Sequence, residues 1–347
     1  MSTHETGSTV PTTNTAPGAE TLTTPLLEVD HVHVSFFTRR GTVRAVRGVS
    51  FTVDRGETLG IVGESGSGKS VMAQTLLGLT ELPGKITGGD VRWKGQSLVH
   101  DADATLARVR GREISMVFQD PMTSLNPLFT VGTQIGEVLR RHLGMNKKQS
   151  IERATELLDL VGIANPRERV KQYPHEMSGG MRQRVLIAMA LACEPELLIA
   201  DEPTTALDVT IQAQILELIA DLQQRLGLAV VLITHDLGVV AGLCDRVGVM
   251  YSGKLVELAT AEEVFATPAH PYSAGLLRST PRLDMVMPRL VSIDGSPPDL
   301  VDPPLGCPFA ARCDLAVAQC IEEMPGLKTY EGGRKAACWR AFEVTRD

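Results

Sequence analysis

A glycine-rich segment that ends in Lys-Ser is the part of the chain that points most directly to chemistry. Residues 63–70, GESGSGKS, fit the pattern G-x-x-x-x-G-K-[ST] between the apolar run LGIV and the helix-forming segment SVMAQTLLGL. Glycines let the backbone curl so that its N–H groups face phosphate oxygens at the positive end of a helix. Lys69 can then reach the outer phosphates, and the Ser70 hydroxyl can bind Mg²⁺. The segment therefore predicts a nucleotide-binding P-loop made of Gly63, Glu64, Ser65, Gly66, Ser67, Gly68, Lys69 and Ser70.

Two acidic residues and a histidine follow other predicted strands. Asp201 and Glu202 come directly after the apolar run LLIA, and His235 follows AVVLIT. Ligands bind beyond the carboxyl ends of parallel strands, so these side chains should lie beside the P-loop. We expect Asp201 to hold Mg²⁺, Glu202 to deprotonate an attacking water, and His235 to contact the outermost phosphate.

A Ser-Gly-Gly sequence opens the helix predicted in HEMSGGMRQRVLIAMALA. Ser178 is a suitable N-cap, and a helix start of this kind is a ready anion site. The segment lies between the P-loop and the sequence LLIADEP. The order and spacing of these motifs resemble those of the ATP-binding-cassette (ABC) ATPases, and the resemblance covers residues 26 to about 265.

This resemblance implies roles for individual residues. Asp201 and Glu202 would end the Walker B motif, and Gln119, in MVFQDP, would be the glutamine that senses Mg²⁺ and the attacking water. Asp208 would end the D-loop, and His235 would be the switch histidine. The P-loop would be the Walker A motif. The residues that look like the signature motif are Ser178, Gly179 and Gly180.

Two further positions bear on nucleotide binding. Met181 stands where the family usually has glutamine, directly after the signature glycines. This departure bears on how strongly the signature motif binds the nucleotide. Phe36, in HVSFFTRRG, sits where the family places an aromatic ring on adenine. Phe37 is the alternative, because a one-residue slip along a strand reverses the exposed face. Either ring could also belong to the core.

The resemblance also implies a partner. In this family the signature motif of one subunit closes on the nucleotide held by the P-loop of another. One chain with one P-loop and one signature motif cannot complete a site alone. A second ATPase subunit, identical or different, is therefore expected.

The elements around these residues predict an α/β fold, and the resemblance implies that it is a P-loop NTPase cassette of the ABC type. Residues 26–60 alternate apolar and polar side chains, which is typical of an antiparallel β-subdomain. The helical patterns that follow predict an inserted α-helical subdomain at about residues 120–192. Parallel strands and helices return at residues 197–243, and DRVGVMYSGKLVELA predicts a hairpin with a Ser-Gly turn. The predicted nucleotide-binding domain spans residues 26–268.

Four of the six cysteines are concentrated near the C-terminus, at Cys307, Cys313, Cys320 and Cys338. Because no export signal is visible, a reducing compartment is expected, and clustered thiols there favour a metal over disulfides. Their spacings miss the C-x2–4-C pairs of common zinc sites and the usual ferredoxin runs. Spacing alone therefore leaves both a metal site and four unrelated buried thiols open.

A second resemblance narrows this choice. HPYSAGLL, IDGSPPDL, GCPFAARC and FQDPMTSLNPLFTVGTQIGE resemble segments of oligopeptide/dipeptide importer ATPases, and the likeness covers nearly the whole chain after residue 25. Residues 269–347 would be that group's small Cys-rich C-terminal extension. Its four-cysteine form is associated with a [4Fe–4S] cluster, so the four cysteines would be the ligands, with zinc as the alternative. Because this extension is assigned to a different domain from the P-loop, we expect nucleotide binding to depend little on the cysteines.

Composition limits the other classes of function. The chain has 347 residues and a net charge of −7, which argues against a general nucleic-acid binder. No run approaches the roughly 20 apolar residues of a membrane span. Residues 1–25 are rich in Ser, Thr and Pro and lack the basic start and apolar run of a signal peptide, so they predict a disordered tail.

The resemblance to importer ATPases implies an ATP- and Mg²⁺-dependent hydrolase that powers peptide translocation from the cytoplasmic face of the cell membrane, where it would be peripheral. Its partners would be a second ABC ATPase, two transmembrane permease subunits and, through the complex, an external substrate-binding protein, with no nucleic acid. Nickel, glutathione or short sugars are alternative cargoes. A soluble ABC ATPase acting on nucleic acid or the ribosome is the competing class, but the chain lacks that class's long insertions or second cassette.

Overall fold

The computed structural model describes residues 24–100, 102–205, 207–279 and 293–344. Residues 1–23 of the predicted tail therefore lie outside the described residues. The strands are β1 (Leu27–Thr38), β2 (Gly41–Val53), β3 (Thr58–Val62), β4 (Gly84–Trp93), β5 (Gln96–Ser97), β6 (Ile114–Val117), β7 (Leu197–Asp201), β8 (Ala229–Thr234), β9 (Arg246–Tyr251), β10 (Lys254–Thr260), β11 (Lys328–Thr329) and β12 (Lys335–Ala336). The helices are α1 (Lys69–Leu76), α2 (Ala102–Val109), α3 (Pro121–Ser124), α4 (Val131–Leu143), α5 (Lys147–Leu160), α6 (Pro166–Arg169), α7 (Gly179–Ala190), α8 (Val209–Leu226), α9 (Leu237–Leu243), α10 (Ala261–Ala266), α11 (Pro271–Ser279) and α12 (Ala318–Glu322).

The smaller sheet is antiparallel, with strand order β2-β1-β4-β5. Leu27 of β1 lies opposite Val53 of β2 on one side and Trp93 of β4 on the other. All three side chains are buried, at 1% exposure or less. The alternating pattern of residues 26–60 thus forms the predicted antiparallel β-subdomain, except that the last few residues enter the larger sheet.

The larger sheet has the order β11-β12-β10-β9-β3-β8-β7-β6. Strand β3 pairs in parallel with β8 and β9, and β7 pairs in parallel with β8 and β6. Every residue of β3, β7 and β8 is buried, because parallel strands of this kind are covered on both faces. The carboxyl ends of these three strands therefore meet at one edge, which is where the P-loop, the acidic pair and His235 begin.

The two faces of this sheet pack against separate apolar cores. Successive strand residues point to opposite faces, and β7 shows the consequence. Leu198 and Ala200 belong to the core shared with the helical subdomain, whereas Leu197 and Ile199 belong to the core beneath the antiparallel sheet. Fixing β7 between two cores fixes the position of the acidic residues at its end.

An α-helical subdomain lies between β6 and β7, as predicted for about residues 120–192. Thr130 caps α4 by accepting a hydrogen bond from the Thr133 N–H, and Gly144 ends this helix at a φ of +65°. Asn146 and Gln149 form a capping box at the start of α5. The local signals thus set where these helices begin and end.

Among the helices that the structure describes, none is long and apolar enough to cross a membrane.

The hairpin of β9 and β10 turns at Ser252 and Gly253, as predicted. Both residues have positive φ, 48° and 76°, as a type I′ turn requires. The Gly253 N–H donates to the Ser67 carbonyl at 2.9 Å, and its carbonyl accepts from the Arg47 N–H at 2.7 Å. The turn therefore holds the P-loop through a backbone hydrogen bond to Ser67.

The C-terminal extension adds two short strands, β11 and β12, to the edge of the larger sheet. Strand β12 pairs antiparallel with β10, with Ala336 opposite Glu257. Phe309 is 3% exposed and belongs to the core shared with the helical subdomain. The extension thus packs on the cassette, and the expectation that nucleotide binding depends little on the cysteines stays a prediction.

Candidate nucleotide site and adjoining cysteine cavity

The P-loop curls tightly because glycine stands at its two closest approaches to other backbone. A Cβ at Gly63, whose φ is +154°, would lie 2.1 Å from the Met250 carbonyl oxygen. A Cβ at Gly68, whose φ is +99°, would lie 2.4 Å from the Ala45 carbonyl oxygen. Side chains at either position would displace the loop, which explains why the motif needs glycine there.

Lys69 is the first residue of α1 and is 4% exposed. Its Nζ donates to the carbonyl oxygens of Gly63 at 2.7 Å and Glu64 at 3.0 Å, so the ammonium lies inside the curl. Burial lowers the pKa of Lys69, while the charges of Glu202 and Asp201 oppose that shift. A cation held in this way is positioned for the phosphates of a nucleotide.

Ser70 and Asp201 meet at the edge of the sheet. The Ser70 hydroxyl donates to Asp201 Oδ1 at 3.0 Å, joining the P-loop to the end of β7. Burial raises the pKa of the Asp201 carboxyl to about 6, and the hydrogen bond from Ser70 lowers it. A buried carboxylate beside a hydroxyl is an oxygen donor pair that Mg²⁺ prefers.

The three predicted catalytic residues come together at Glu202. Its Oε2 accepts a hydrogen bond from Gln119 Nε2 at 3.0 Å and lies 3.4 Å from His235 Nδ1. It also accepts from the Thr205 hydroxyl at 2.9 Å, a contact that the sequence analysis missed. Glu202 has a φ of +44°, a strained conformation for a residue with a side chain. Such strain is typical of functional positions held by their surroundings.

The signature residues open α7 beside the start of α8. Ser178 caps α7 by accepting from the Met181 N–H at 3.3 Å, as predicted. A Cβ at Gly180 would lie 2.7 Å from Ile211 Cγ2, so this helix start packs closely on α8. Gly179 is beside Leu207. Asp208 caps α8 through the Ile211 N–H.

The two adjacent phenylalanines face different environments. Phe36 is partly buried and packs against the core beneath the antiparallel sheet. A Cβ at Gly84 would lie 2.7 Å from its ring. Phe37 is 51% exposed. Neither contact tests adenine stacking, so the role of Phe36 stays a prediction.

Four predicted ligands line one small cavity in the extension: Cys307, Cys313, Cys320 and Cys338. Burial raises the pKa of the Cys307 and Cys338 thiols to about 11. Within the ranges that the structure describes, no group of three or more His, Cys, Asp or Glu is arranged to hold a metal ion. Neither the [4Fe–4S] cluster nor its zinc alternative is therefore shown, and both stay predictions.

His270 lines the same cavity and is 1% exposed. Its Nδ1 accepts from the Tyr272 N–H at 3.0 Å, so the neutral ring carries its proton on Nε2. Burial lowers the pKa of His270 to about 3, which keeps the ring neutral. Nε2 is buried without a hydrogen-bond partner among the described residues. His270 is the first residue of the segment HPYSAGLL, and no local sequence pattern predicted its burial beside the cysteines.

Comparisons with known proteins found two matching family models and several relatives of high sequence identity. A family model described as "ABC transporter" matches residues 46–205, and one described as "Oligopeptide/dipeptide transporter, C-terminal region" matches residues 256–320. The dipeptide transport ATP-binding protein DppD of Bacillus subtilis is 55% identical over 90% of this chain and 94% of its own length. The oligopeptide transport ATP-binding protein OppD of Haemophilus influenzae is 50% identical over 92% and 98%, respectively.

Solved structures show the same fold. The dimer of the ATP-binding cassette MJ0796, in a post-hydrolysis state with ADP and Pi, matches with a TM-score of 0.61 and 29% identity. The match covers 68% of this chain and 98% of the MJ0796 chain. The cassette part of the chain is therefore an ABC-type P-loop fold, to which the C-terminal extension is added.

Proposed function

The chain belongs to the family of ATP-binding subunits of dipeptide and oligopeptide ABC transporters, and from that premise we propose how its residues perform ATP-driven peptide import. The chain is an ABC ATPase whose relatives are named for peptide transport. The main observation behind the proposal is that Gln119, Glu202 and His235 meet beyond the carboxyl ends of β6, β7 and β8, at the same sheet edge as the P-loop. That arrangement supports hydrolysis as well as binding.

The P-loop binds the triphosphate of ATP in this proposal. N–H groups of residues 63–70 face the phosphates, and Lys69 exchanges its carbonyl partners for phosphate oxygens. Ser70 and Asp201 would hold Mg²⁺, which neutralises charge on the phosphates. The remaining P-loop residues, Glu64, Ser65 and Ser67, shape the loop. Outside the P-loop, Phe36 stacks on the adenine.

Glu202 then acts as the general base. It takes a proton from water, the water oxygen bonds to the γ-phosphorus, and the bond from that phosphorus to the ADP oxygen breaks. Gln119 and His235 hold the Glu202 carboxylate and the water in line. General-base loss costs on the order of 10² to 10⁴ in rate, so Glu202→Gln tests the assignment by ATP turnover in the assembled transporter.

A second subunit completes each site. Ser178, Gly179 and Gly180, with Asp208, are proposed to face the nucleotide on a partner ATPase, and the partner's signature motif faces the P-loop here. The similarity of the cassette to the dimeric ATP-binding cassette MJ0796 supports an intersubunit role. Turnover by a verified monomer at the rate of the assembled complex would contradict it.

Two transmembrane permease subunits and an external substrate-binding protein complete the proposed complex, with this subunit peripheral at the cytoplasmic face. Hydrolysis would open and close the ATPase pair and so alternate the access of the pore. Domains are proposed as residues 26–268 for the cassette and 269–347 for the extension. Co-purification of the permease subunits, followed by identification of the ligand on the binding protein, tests the peptide cargo against nickel, glutathione and sugars.

The four cysteines are proposed to hold a [4Fe–4S] cluster. Three features support a group with several negatively charged sulfurs. The four thiols line one cavity, and backbone N–H groups of Phe309, Leu315 and Arg340 point at three of the sulfurs. His270 adds a buried ring donor without a partner among the described residues. Hydrogen bonds of this kind stabilise iron–sulfur clusters.

The cluster would cross-link the extension, since four thiolates leave no open position for catalysis. The test is purification without oxygen. The expected protein is brown and contains roughly four irons and four sulfides per chain. Colourless protein with one zinc, or with no metal and four alkylatable thiols, would contradict the cluster.

A further inference from the structure

Glu64 of the P-loop is bound by two groups of the C-terminal extension. Arg312 donates to both carboxylate oxygens, from Nη1 at 2.8 Å and from Nη2 at 3.0 Å. The Tyr272 hydroxyl accepts a hydrogen bond from the Glu64 N–H at 2.8 Å. The side chain and the backbone of one P-loop residue are therefore both held from the same side.

Arg312 has no donor left over. Besides Glu64, it donates to the Tyr251 hydroxyl at 3.1 Å and to the carbonyl oxygens of Asp294 at 2.8 Å and Ile293 at 3.1 Å. Its side chain is 5% exposed. The planar guanidinium, with its N–H groups engaged, cannot change direction without losing several bonds at once. The Arg312 guanidinium is therefore a fixed positive charge next to Glu64 of the P-loop.

Aromatic rings enclose this ion pair. Tyr251 and Tyr272 lie 4.5 Å apart between ring centres, and Phe309 contacts both at 5.3 Å. The Arg312 guanidinium lies 5.8 Å from the Tyr251 ring centre and 5.9 Å from that of Phe309. The rings shield the Arg312 guanidinium, whereas the Glu64 side chain is 24% exposed, so the pair is screened less than a fully exposed pair but is not dry.

The charge on Glu64 reaches the nucleotide-binding machinery. Lys69 donates to the Glu64 carbonyl. Burial lowers the pKa of Lys69, and the negative charges of Glu202, Asp201 and Glu64 partly oppose that shift. A triphosphate brings several negative charges to the same loop. An unpaired Glu64 carboxylate would repel them, because like charges in a partly buried site interact more strongly than they do in bulk water.

We propose that Arg312 is a positioning residue for ATP binding, which neutralises the Glu64 carboxylate and holds the P-loop in its phosphate-binding curl. This inference rests on the proposed binding of ATP at the P-loop and adds a residue outside the cassette motifs to that site. It also connects the cysteine cavity of the extension with the nucleotide site. Arg312 directly precedes Cys313, and the Tyr272 N–H donates a hydrogen bond to His270, which lines the cavity.

The test is a double-mutant cycle on the full chain, read as the affinity for fluorescent Mg-ATP. Arg312→Gln should weaken binding about tenfold, or about 1.4 kcal/mol. In a Glu64→Gln background the same Arg312→Gln change should cost about twofold or less, because no carboxylate is left to repel phosphate. In the assembled complex Arg312→Gln should raise KM for ATP and leave kcat nearly unchanged, because Arg312 does not contact Gln119 or Glu202.

Arg278→Gln is the matched control, because it removes an exposed guanidinium of α11 in the same extension. It should leave the affinity for ATP unchanged. A purely structural role for Arg312 predicts equal losses in both Glu64 backgrounds, and that result would overturn the proposal, as would unchanged affinity in Arg312→Gln. Failure of the wild-type chain to bind Mg-ATP would instead overturn the proposed function.

Discussion

Glu202→Gln is the substitution that tests the catalytic arrangement most directly. Glutamine has nearly the same shape as glutamate, and its amide oxygen can still accept from the Thr205 hydroxyl, which lies 2.9 Å from the present carboxylate. The fold and nucleotide binding should therefore survive. Glutamine cannot accept the proton of water, so turnover should fall by about 10² to 10⁴, which is about 2.7 to 5.4 kcal/mol of transition-state stabilisation.

The contacts of Glu202 sharpen this prediction. Gln119 and His235 both face its Oε2, so their contributions should depend on the carboxylate. His235→Ala alone should slow hydrolysis, yet in the Glu202→Gln background it should add little, because residues that act as a unit are not additive. Glu217→Gln, an identical change at an exposed position of α8, is the control and should keep the wild-type rate.

The assay is phosphate release by the assembled transporter in vesicles, with Mg-ATP binding measured in parallel. Wild-type turnover by Glu202→Gln would remove the general-base assignment. Full multiplication of the His235→Ala and Glu202→Gln effects would show that the two residues act independently, against the arrangement in the structure.

Three further predictions concern the partner, the adenine and the cysteines. Ser178→Arg should leave Mg-ATP binding to the isolated chain intact but lower turnover at the site whose P-loop belongs to the partner, and loss of binding in the isolated chain would contradict this. Phe36→Ala should weaken ATP binding several-fold more than Phe37→Ala, whereas the reverse order in a titration would assign the adenine to the exposed ring. Cys338→Ser should lose the iron, measured by metal analysis, and should weaken Mg-ATP binding measurably through Arg312; unchanged ATP affinity in iron-free protein would show that the cavity and the P-loop are not coupled.

The local elements of this chain follow from short stretches of its sequence. Glycines at fixed offsets predicted the P-loop, Ser178 predicted the start of α7, and the Ser-Gly pair predicted the turn between β9 and β10. Each of these depends on φ angles or hydrogen bonds within a few residues. The acidic pair could be placed beside the P-loop because parallel strands bring their carboxyl ends to one edge.

Contacts between distant residues were decided by the tertiary structure. Arg312 and Glu64 are 248 residues apart, and nothing in the local pattern around either indicates the other. The resemblance to importer ATPases assigned residues 269–347 to a C-terminal extension in a different domain from the P-loop. The Arg312–Glu64 ion pair and the hydrogen bond from the Glu64 N–H to the Tyr272 hydroxyl place that extension against the P-loop. Hydrophobic periodicity and motif spacing describe one segment of the chain at a time. The contact between Arg312 and Glu64 depends instead on how two distant segments pack in the folded protein.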